Sequence, residues 1–511
     1  MLLGEPGQAA GNLALLAAAV FAFAWVVARA HVQAMTGDEG HTFELFVNQR
    51  EPFQWYPANN NHILNSLLMR LVTSVFGVSH LTVRAPALIG AAIYIAVSLW
   101  LSKLVGSKSY VRLPLFLCLV YNPFILDFMV AARGYGMASA LLLCAIAGPA
   151  WCYLNPDDAD PRRILRACAF SSGLLALSFT AVFAFGFVVA ASGLVLAAWA
   201  LQSAAGQRLR VVAACTLPGL IVILLLPAHT LLHWADGFPL GGDSILETID
   251  TVAQASLYQL NPHILNPLLF PVLLKLKGLL LPGLVGLALL HALLAFLGRA
   301  KLSQRNGRLF ALGAAMAGIA TLALLMHWVS FLRFGFPLLP QHRTAIYLIP
   351  LCTLAVGMIA AVPLPSWTGR ASRGALLGVV SLLAFYQVMC MRLTYFSEWD
   401  YQADVKKVYD VVAWYNHNRG VRDAEVGWQY QGALDFYRHM SGRESLLPFT
   451  NHAARATDKQ LYVLSNTTEH EFIAENRLKV VYRGESTDVV VAVRPELAGG
   501  ENAPSSLAIL P

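Results

Sequence analysis

Charged residues are scarce in this chain. The 511 residues include only 36 Lys and Arg and 29 Asp and Glu, or 13%, whereas a soluble domain carries about 25%. The sequence contains no Gly-rich phosphate-binding loop, aromatic RNA-binding motif or zinc-finger spacing. The net charge of +7 therefore does not indicate a nucleic-acid partner, and none is expected.

Paired cysteines are also missing. The seven cysteines are Cys118, Cys144, Cys152, Cys168, Cys215, Cys352 and Cys390. All lie in or beside apolar runs and none forms a CxxC pair, so we expect them to pack as small hydrophobic side chains. The tail after Cys390 has none, so it would not be a disulfide-stabilised domain if it is exported.

Apolar runs dominate what is present, because 57% of the residues are hydrophobic. A membrane-spanning helix needs roughly 20 apolar residues. The predicted spans are 11–30, 84–104, 111–129, 134–154, 164–181, 184–201, 210–232, 276–298, 308–330, 344–363 and 374–393. The first lacks the basic segment that precedes a signal-peptide core, so we interpret it as a helix. The region 164–201 is too long for one span, which predicts a hairpin near Phe179 and Thr180.

The cations between these runs fall in alternate loops. They are Lys103, Lys108 and Arg112; Arg162, Arg163 and Arg166; Arg208 and Arg210; Arg299, Lys301, Arg305 and Arg308; and Arg370 and Arg373. Because cytoplasmic loops are enriched in Lys and Arg, the amino terminus is predicted to be cytoplasmic. An odd number of spans then puts the tail on the outside.

The composition changes near residue 395, where the chain becomes polar. Residues 403–416 are helix-like, and 460–464 and 489–493 are strand-like. The predicted fold is an all-α polytopic membrane bundle of about 11 transmembrane helices, followed by a small soluble α/β domain at the C-terminus. The domain boundaries are 1–394, with a long outside loop at 31–83, and 395–511.

Two adjacent acids, Asp38 and Glu39, follow the first span closely. Burial at the edge of a bilayer raises the pKa of a carboxylate and a nearby cation lowers it. Such a group can accept a proton from a hydroxyl. The alternative is a solvated loop turn.

Amides and an imidazole form a second group at Tyr56–His62, with Asn61 and His62 just before an amphipathic run. These groups suit sugar hydroxyls or phosphate oxygens. The alternative is a polar cap on an interfacial helix.

A third group, Arg133 and Tyr135, lies in a tight outside turn, with Asp127 as a candidate internal partner. An outside Arg needs an anion such as a lipid phosphate, unless it simply reaches the headgroups.

A fourth group, between the ninth and tenth spans, comprises Arg333, His342 and Arg343, with Tyr347 in the next helix. As for Arg133, an outside cation here needs an anion such as a lipid phosphate, and Lys275 is a weaker cationic candidate.

His229, His233 and Asp236 have a spacing that metal ligands can adopt on a helix. Interfacial placement is the more common reason for such a pattern, so no metal site is predicted.

These pieces, in this order, resemble the polyprenyl-phosphate-sugar-dependent glycosyltransferases of the GT-C superfamily. The likeness is to bacterial relatives of the protein O-mannosyltransferases and lipid A aminoarabinose transferases, over roughly residues 10–395. The matching segments are Asp38-Glu39, the run from His62 through Phe76-Gly77 to Arg84-Ala85-Pro86, Ala132-Arg133-Gly134-Tyr135, and Arg343-Thr344 with Tyr347 and Pro350-Leu351. One departure is Asn61-His62-Ile63-Leu64, which stands where the aminoarabinose transferases have a Glu-Lys pair.

The resemblance implies an inverting glycosyltransferase in the bacterial inner (plasma) membrane, with its C-terminal domain in the periplasm. The implied donor is a sugar on a polyprenyl monophosphate, and the acceptor is a hydroxyl of a lipid, glycan or protein. Asp38 would be the base and Glu39 would orient it or the acceptor. Arg133, Tyr135, Arg343 and His62 would hold the donor phosphate. No cofactor is required, because the activated sugar arrives on a lipid, and a divalent metal is not indicated.

The main alternative function is a transporter or flippase for a lipid-linked sugar. Transporters place charged residues near the middle of the membrane, often within paired repeats. Here the acids and most of the candidate cations are predicted at one membrane face and no repeat is detected. A scaffold that presents the tail to partners would leave the outside arginines unexplained.

Overall fold

A computed structural model of the chain describes residues 6–48, 60–106, 108–158, 160–233, 241–452 and 457–498. The helices of these ranges are α1 (Pro6–Val32), α2 (Gly37–Thr42), α3 (Ile63–Phe76), α4 (His80–Val105), α5 (Ser109–Val120), α6 (Pro123–Phe128), α7 (Tyr135–Leu154), α8 (Pro161–Ala181), α9 (Gly186–Ser203), α10 (Arg208–Leu225), α11 (Ala228–Leu232), α12 (Ile245–Ser256), α13 (Phe270–Leu297), α14 (Gln304–Phe334), α15 (Leu348–Ala361), α16 (Trp367–Val388), α17 (Val405–Arg419), α18 (Trp428–Met440) and α19 (His470–Glu475).

Ten helices of the described residues are long and apolar enough to cross a membrane. They are α1, α4, α7, α8, α9, α10, α13, α14, α15 with the turn before it, and α16. A helix satisfies its backbone hydrogen bonds internally, and the hydrocarbon of a membrane offers no other partners for them. The chain also breaks between Ala181 and Gly186, as the length of region 164–201 predicts. The chain is therefore a multi-pass membrane protein.

Side-chain caps begin several of these helices at the loops rich in cations. Asp160, Ser303 and Ser366 each accept a hydrogen bond from the backbone N–H three residues later. Such caps satisfy backbone donors that have no partner inside the helix. These three polar loop residues therefore help fix where α8, α14 and α16 begin.

The predicted span 111–129 consists of two short helices, α5 and α6, separated at Asn122 and Pro123. Near its start, Arg112 donates to Asn12 in the first turns of α1 (3.2 Å), and near its end Asp127 pairs with Arg29 in the last turns of α1 (2.6 Å). At 1.5 Å per residue, these two points of α1 are about 25 Å apart. The broken segment thus runs beside α1 over about this length, although it is not one of the ten helices that are long enough to cross a membrane by themselves.

The polar tail contains a four-stranded sheet with strands β1 (Ala424–Val426), β2 (Leu461–Ser465), β3 (Lys479–Arg483) and β4 (Val489–Val493). The strand order is β1-β2-β4-β3, with β1 parallel to β2 and the other pairs antiparallel. Every residue of β2 and β4 is buried, which explains their unbroken apolar character. A helical segment and two strands lie where the sequence predicts them, at α17, β2 and β4.

The tail does not stand apart from the bundle. One hydrophobic cluster combines Met35, Phe43 and Val47, from the stretch after α1, with Phe436 and Tyr437 of α18. In addition, Arg29 and Gln33 near the end of α1 donate to the carbonyl oxygen of residue 395, at 3.2 and 2.8 Å. The tail is therefore packed at the end of the bundle where α1 finishes.

We expect the amino terminus and the tail to lie on opposite sides of the membrane. The physical reason is that α1 begins at one end of the bundle, the tail packs at the other, and the loop cations assign the first end to the cytoplasm. Alkaline phosphatase fused after Ala498 should be active, and the same reporter fused after Leu302 should be inactive. The opposite pattern would invert the orientation.

Candidate active site

Helix α2 carries both predicted acids, and its conformation is set by a capping box. The Thr36 hydroxyl accepts from Glu39 N at 3.1 Å, and Thr36 N donates to Glu39 Oε2 at 2.9 Å. The spacing Thr-x-x-Glu is what this motif requires. Because Glu39 is turned back to its own helix start, the neighbouring Asp38 points away from it.

Glu39 is completely buried and all its contacts are to protein groups. Arg84 donates to Oε1 from Nε at 2.9 Å and to Oε2 from Nη2 at 2.8 Å, and Ala132 N donates to Oε1 at 2.9 Å. Burial raises the pKa of Glu39, but Arg84 and the backbone N–H groups outweigh burial and leave the pKa below its ordinary value. Glu39 thus joins α2 to α4 and to the turn before α7.

Arg84, the partner of Glu39, also caps the C-terminal end of α1. Its guanidinium donates to the carbonyl oxygens of Ala30, Gln33 and Ala34 at 3.0, 3.0 and 2.8 Å. These carbonyls lie at the helix C-terminus, where a cation is favourable. A single buried arginine therefore fixes both the end of the first span and the acidic helix after it.

Asp38 faces two guanidinium groups from distant parts of the chain. Its Oδ2 lies 3.1 Å from Arg343 Nη2 and 3.7 Å from Arg133 Nε, and its side chain is 28% exposed. Burial raises the pKa of Asp38, but Arg133, Arg343 and His41 lower it by a larger combined amount. The carboxylate is therefore ionised at neutral pH, at a partly open position.

Arg133 lies in the turn between α6 and α7 and is almost fully buried. It donates to the Asp38 carbonyl oxygen at 3.2 Å, to the Thr42 hydroxyl at 2.6 Å, and to the side-chain oxygen of Asn60. The turn requires Gly134, which has φ 78° and would clash with the Ala181 carbonyl if it carried a Cβ. The backbone thus presents this arginine to α2.

Arg343 enters the site from the turn before α15, and its other partner was not predicted from the sequence. Its Nη1 lies 3.5 Å from Glu398 Oε2, and its guanidinium lies 5.4 Å from the ring centre of Trp399. Burial raises the pKa of Glu398, and Arg343 only partly offsets this rise. The only sequence signal for Glu398 is an acid beside an aromatic residue just after the last span.

His62 packs against Tyr135, with ring centres 5.3 Å apart, and Nδ1 lies 3.2 Å from the Ala181 carbonyl oxygen. Burial, Arg133 and Arg343 hold the pKa of His62 well below its ordinary value, so the ring is neutral. Because a carbonyl oxygen can only accept, Nδ1 must carry the proton. Nε2, which is buried without a hydrogen-bond partner, is then an acceptor.

Three further candidates, Asn61, Tyr347 and His342, make other contacts. Asn61 is buried and accepts from the Ser66 hydroxyl at 3.0 Å, and Tyr347 is fully buried against Phe185. His342 is exposed beside Arg343, and its backbone N–H donates to the Thr251 hydroxyl at 3.2 Å.

Two further cations are not brought into the cluster by any contact in the described residues. Arg333 is exposed near the end of α14 and lies over the ring of Phe334, and Lys275 is exposed in the second turn of α13. Tyr56 and Asn59 lie outside the described residues.

Asp127 does not pair with Arg133, contrary to the sequence-based suggestion. It accepts from Arg29 at 2.6 Å and from the backbone N–H of Ser397 at 2.6 Å, and lies 3.7 Å from Arg392. The chain turns sharply between the two residues, so their closeness in sequence does not bring them together. Asp127 instead ties α1 to the segment that leads into the tail.

The histidine pair considered for a metal has another arrangement. The rings of His229 and His233 stack with centres 4.3 Å apart, and His233 Nδ1 is 2.8 Å from the His229 carbonyl oxygen. Asp236 lies outside the described residues. Across the described ranges, no group of three or more His, Cys, Asp and Glu side chains could hold a metal ion.

The fold and this cluster define a multi-pass membrane protein with a carboxylate–guanidinium site at one end of its helical bundle. The structure is similar to that of ArnT from Cupriavidus metallidurans bound to undecaprenyl phosphate. The TM-score is 0.45 at 15% identity, over 96% of this chain and 99% of that one. The apo state of ArnT gives 0.39 at 14% identity, over 95% and 98%.

Arabinosyltransferase EmbB from Mycobacterium smegmatis is similar at a TM-score of 0.37 and 15% identity. The match covers 68% of this chain and 30% of EmbB. No protein-family model and no curated protein matches the chain.

Glu39→Gln should destabilise the protein as well as impair the site. A carboxamide leaves the fully buried Arg84 without its counter-charge, and breaking a buried ion pair costs about 3–5 kcal/mol. The thermal unfolding midpoint in detergent should fall. Glu39→Gln combined with Arg84→Met removes the unpaired charge but also the donors to three carbonyl oxygens at the end of α1, so it should recover only part of that loss. An unchanged midpoint in the single variant would contradict this account.

Proposed function

We propose that this protein is a GT-C-type glycosyltransferase that moves a sugar from a polyprenyl monophosphate to an acceptor hydroxyl, with inversion. The observation that carries the proposal is the position of Asp38 between Arg133 and Arg343, with contacts of 3.7 and 3.1 Å. The arrangement supplies a carboxylate that can accept a proton beside two cations that can hold a phosphate.

The two arginines suit a phosphate leaving group. Bond cleavage at the sugar carbon leaves a phosphate monoester, which carries more negative charge than the donor. Cations held in advance where charge develops stabilise the transition state, and a poorly hydrated site strengthens them. Arg133 is 1% exposed and the side chain of Arg343 is 16% exposed, so both are shielded from water.

Asp38 is the proposed base, and donor binding would improve it. In the structure, Arg133 and Arg343 lower the pKa of Asp38, which makes the carboxylate a weak base. A phosphate bound to the same guanidinium groups would offset their positive charge. The pKa of Asp38 would then rise, and its ability to accept the proton of the attacking hydroxyl would rise with it.

Glu39 has a positioning role in this proposal. Its oxygens are occupied by Arg84, Thr36 and Ala132, so it is not offered to an acceptor. It fixes α2, and with it the backbone from which Asp38 projects. It also accepts a hydrogen bond from the backbone of Ala132, the residue before Arg133. One buried carboxylate therefore helps set the distance between Asp38 and Arg133.

His62 fits a hydroxyl better than a phosphate. Its Nδ1 proton is directed at the Ala181 carbonyl, and its neutral Nε2 offers a lone pair and no proton. Phosphate oxygens need donors, whereas sugar hydroxyls can donate. We therefore assign His62 to a hydroxyl of the donor sugar or acceptor, and leave the phosphate to the two arginines, with Tyr135 packed beside them.

The same proposal implies how the donor arrives, which side of the membrane the site faces and what kind of acceptor it uses. The sugar would reach the site on a lipid, so neither a nucleotide nor a metal is needed. The site and the tail would face the periplasm of a bacterial inner membrane. The acceptor is a hydroxyl on a lipid, glycan or protein.

Asp38→Asn should abolish transfer and leave phosphate binding intact or tighter, because the carboxamide cannot accept a proton and no longer competes for the arginines. Mass spectrometry of membrane glycans and glycoproteins from cells with each variant measures transfer. Binding of undecaprenyl phosphate to the purified protein measures the phosphate site. Full transfer by Asp38→Asn would remove this residue from the base role.

Arg343→Ala provides the contrasting arm of that experiment. Loss of one charge-assisted contact should weaken undecaprenyl phosphate binding roughly 10- to 150-fold. Arg343→Lys should recover only part, since lysine lacks the planar fork. The exposed Arg333→Ala is the matched control and should bind as the native protein does.

The two amide variants of His62 test its assigned role. The amide nitrogen of His62→Asn can occupy the place of Nδ1 and keep the bond to Ala181, but it removes the acceptor at Nε2. The amide of His62→Gln reaches the place of Nε2. We expect kcat to fall about 3- to 10-fold in His62→Asn, the value of one neutral hydrogen bond, and less in His62→Gln.

Affinity for undecaprenyl phosphate should be unchanged in both variants of His62. A tenfold loss of that affinity in His62→Asn would return His62 to the phosphate site.

A further inference from the structure

The helix that carries Asp38 rests directly on the backbone of the tail. A Cβ added to Gly40 of α2 would overlap the carbonyl oxygen of Gly432 in α18. A Cβ added to Gly432 would overlap the Gly37 carbonyl oxygen and lie 2.7 Å from His41 Cδ2. The two helices meet where neither has a side chain, so their separation is set by main-chain atoms.

Hydrogen bonds hold this contact in register. Gly37 N donates to Gln402 Oε1 at 2.8 Å, and Gln402 Nε2 donates to the carbonyl oxygen of Gln429. Met35 N donates to the Tyr437 hydroxyl at 2.9 Å. Backbone donors at the beginning of α2 are thus satisfied by side chains of the tail, which a helix start needs when it is buried.

Aromatic packing extends the contact with α18 just after the end of α2. The ring of Phe43, which is 2% exposed, meets Phe436 edge-on with centres 5.5 Å apart and His439 at 5.1 Å. Helix α2 has six residues and continues directly into a five-residue π-helical segment, Phe43–Val47, and the two together are still shorter than a helix needs to be to persist in water on its own. Its stability must therefore come from what covers it.

We propose that helix α18 of the tail is a positioning element for Asp38, and that Gly432 is its key residue. Gly432 would act through α2, because it lies against the Gly37 carbonyl oxygen and the His41 ring. Its missing side chain lets the α2 backbone lie close enough for Asp38 to reach the two arginines. The consequence for activity rests on the proposed function, whereas the position of α2 does not.

Local and tertiary effects of Gly432→Ala have opposite signs. Alanine is a better helix former than glycine, so α18 by itself should become more stable. The added methyl group, however, occupies space held by the Gly37 carbonyl and the His41 ring, so α2 should be displaced. A test that reads α2 and the tail sheet separately can distinguish the two effects.

Hydrogen exchange read by mass spectrometry on the full-length protein in lipid nanodiscs provides this test. In Gly432→Ala, peptides covering residues 36–44 should exchange at least tenfold faster, while β2 and β4 keep their protection. Gly378→Ala is the matched control, because a Cβ at that helical glycine meets nothing within 4 Å. Unchanged exchange of residues 36–44 with an intact sheet would overturn the proposal.

Tyr437→Phe covers the case in which Gly432→Ala fails to fold. It keeps the ring and removes only the hydroxyl bonded to Met35 N, so residues 35–40 should exchange about threefold faster. No change there would also count against the proposal.

Transfer assays on the same variants separate the two hypotheses. We expect kcat to fall at least tenfold in Gly432→Ala and to stay unchanged in Gly378→Ala. Faster exchange of α2 with full kcat would support the contact and remove Asp38 from the base role. Slow exchange with low kcat would reject Gly432 as a positioning residue and leave the assignment of Asp38 standing.

Discussion

The buried ion pair between Glu39 and Arg84 is the interaction on which the rest of the site depends. Both side chains are completely shielded from solvent, and the Nη2–Oε2 distance is 2.8 Å. An unpaired charge in such surroundings is very unfavourable, so every oxygen and nitrogen of the pair must find a partner. Those partners come from the end of α1, the start of α2 and the turn before α7. Satisfying one pair therefore assembles three segments of the chain.

A second consequence is the contrast between two adjacent acids. Both oxygens of Glu39 are bonded to other protein groups, whereas the side chain of Asp38 is partly exposed beside Arg133 and Arg343. Arg343 also lies close to Glu398, so the described cluster contains two guanidinium groups and two carboxyl groups. An incoming phosphate would compete with carboxylates for the same guanidinium groups. Such an arrangement pairs the shielded guanidinium groups with opposite charge, which a poorly hydrated site requires.

The tail takes part in this site, although its own sequence carries no motif. Glu398 and Trp399 reach Arg343, Gln402 bonds to Gly37, and α18 covers α2. The charged contacts gather at the end of the bundle where α1 finishes. Transporters, by contrast, tend to place charged residues near the middle of the membrane. The Arg29–Asp127 pair further joins the first span to the segment that leads into the tail.

The sequence by itself determined the architecture, because hydrocarbon imposes a strict rule on composition and length. Runs of about 20 apolar residues, the position of the loop cations and the polar tail gave the crossings and the small α/β unit. Only the tertiary structure decided which acid is open, which arginines meet it, and that Asp127 pairs with Arg29 instead of Arg133. Those choices depend on contacts between residues far apart in the chain, which no local pattern encodes.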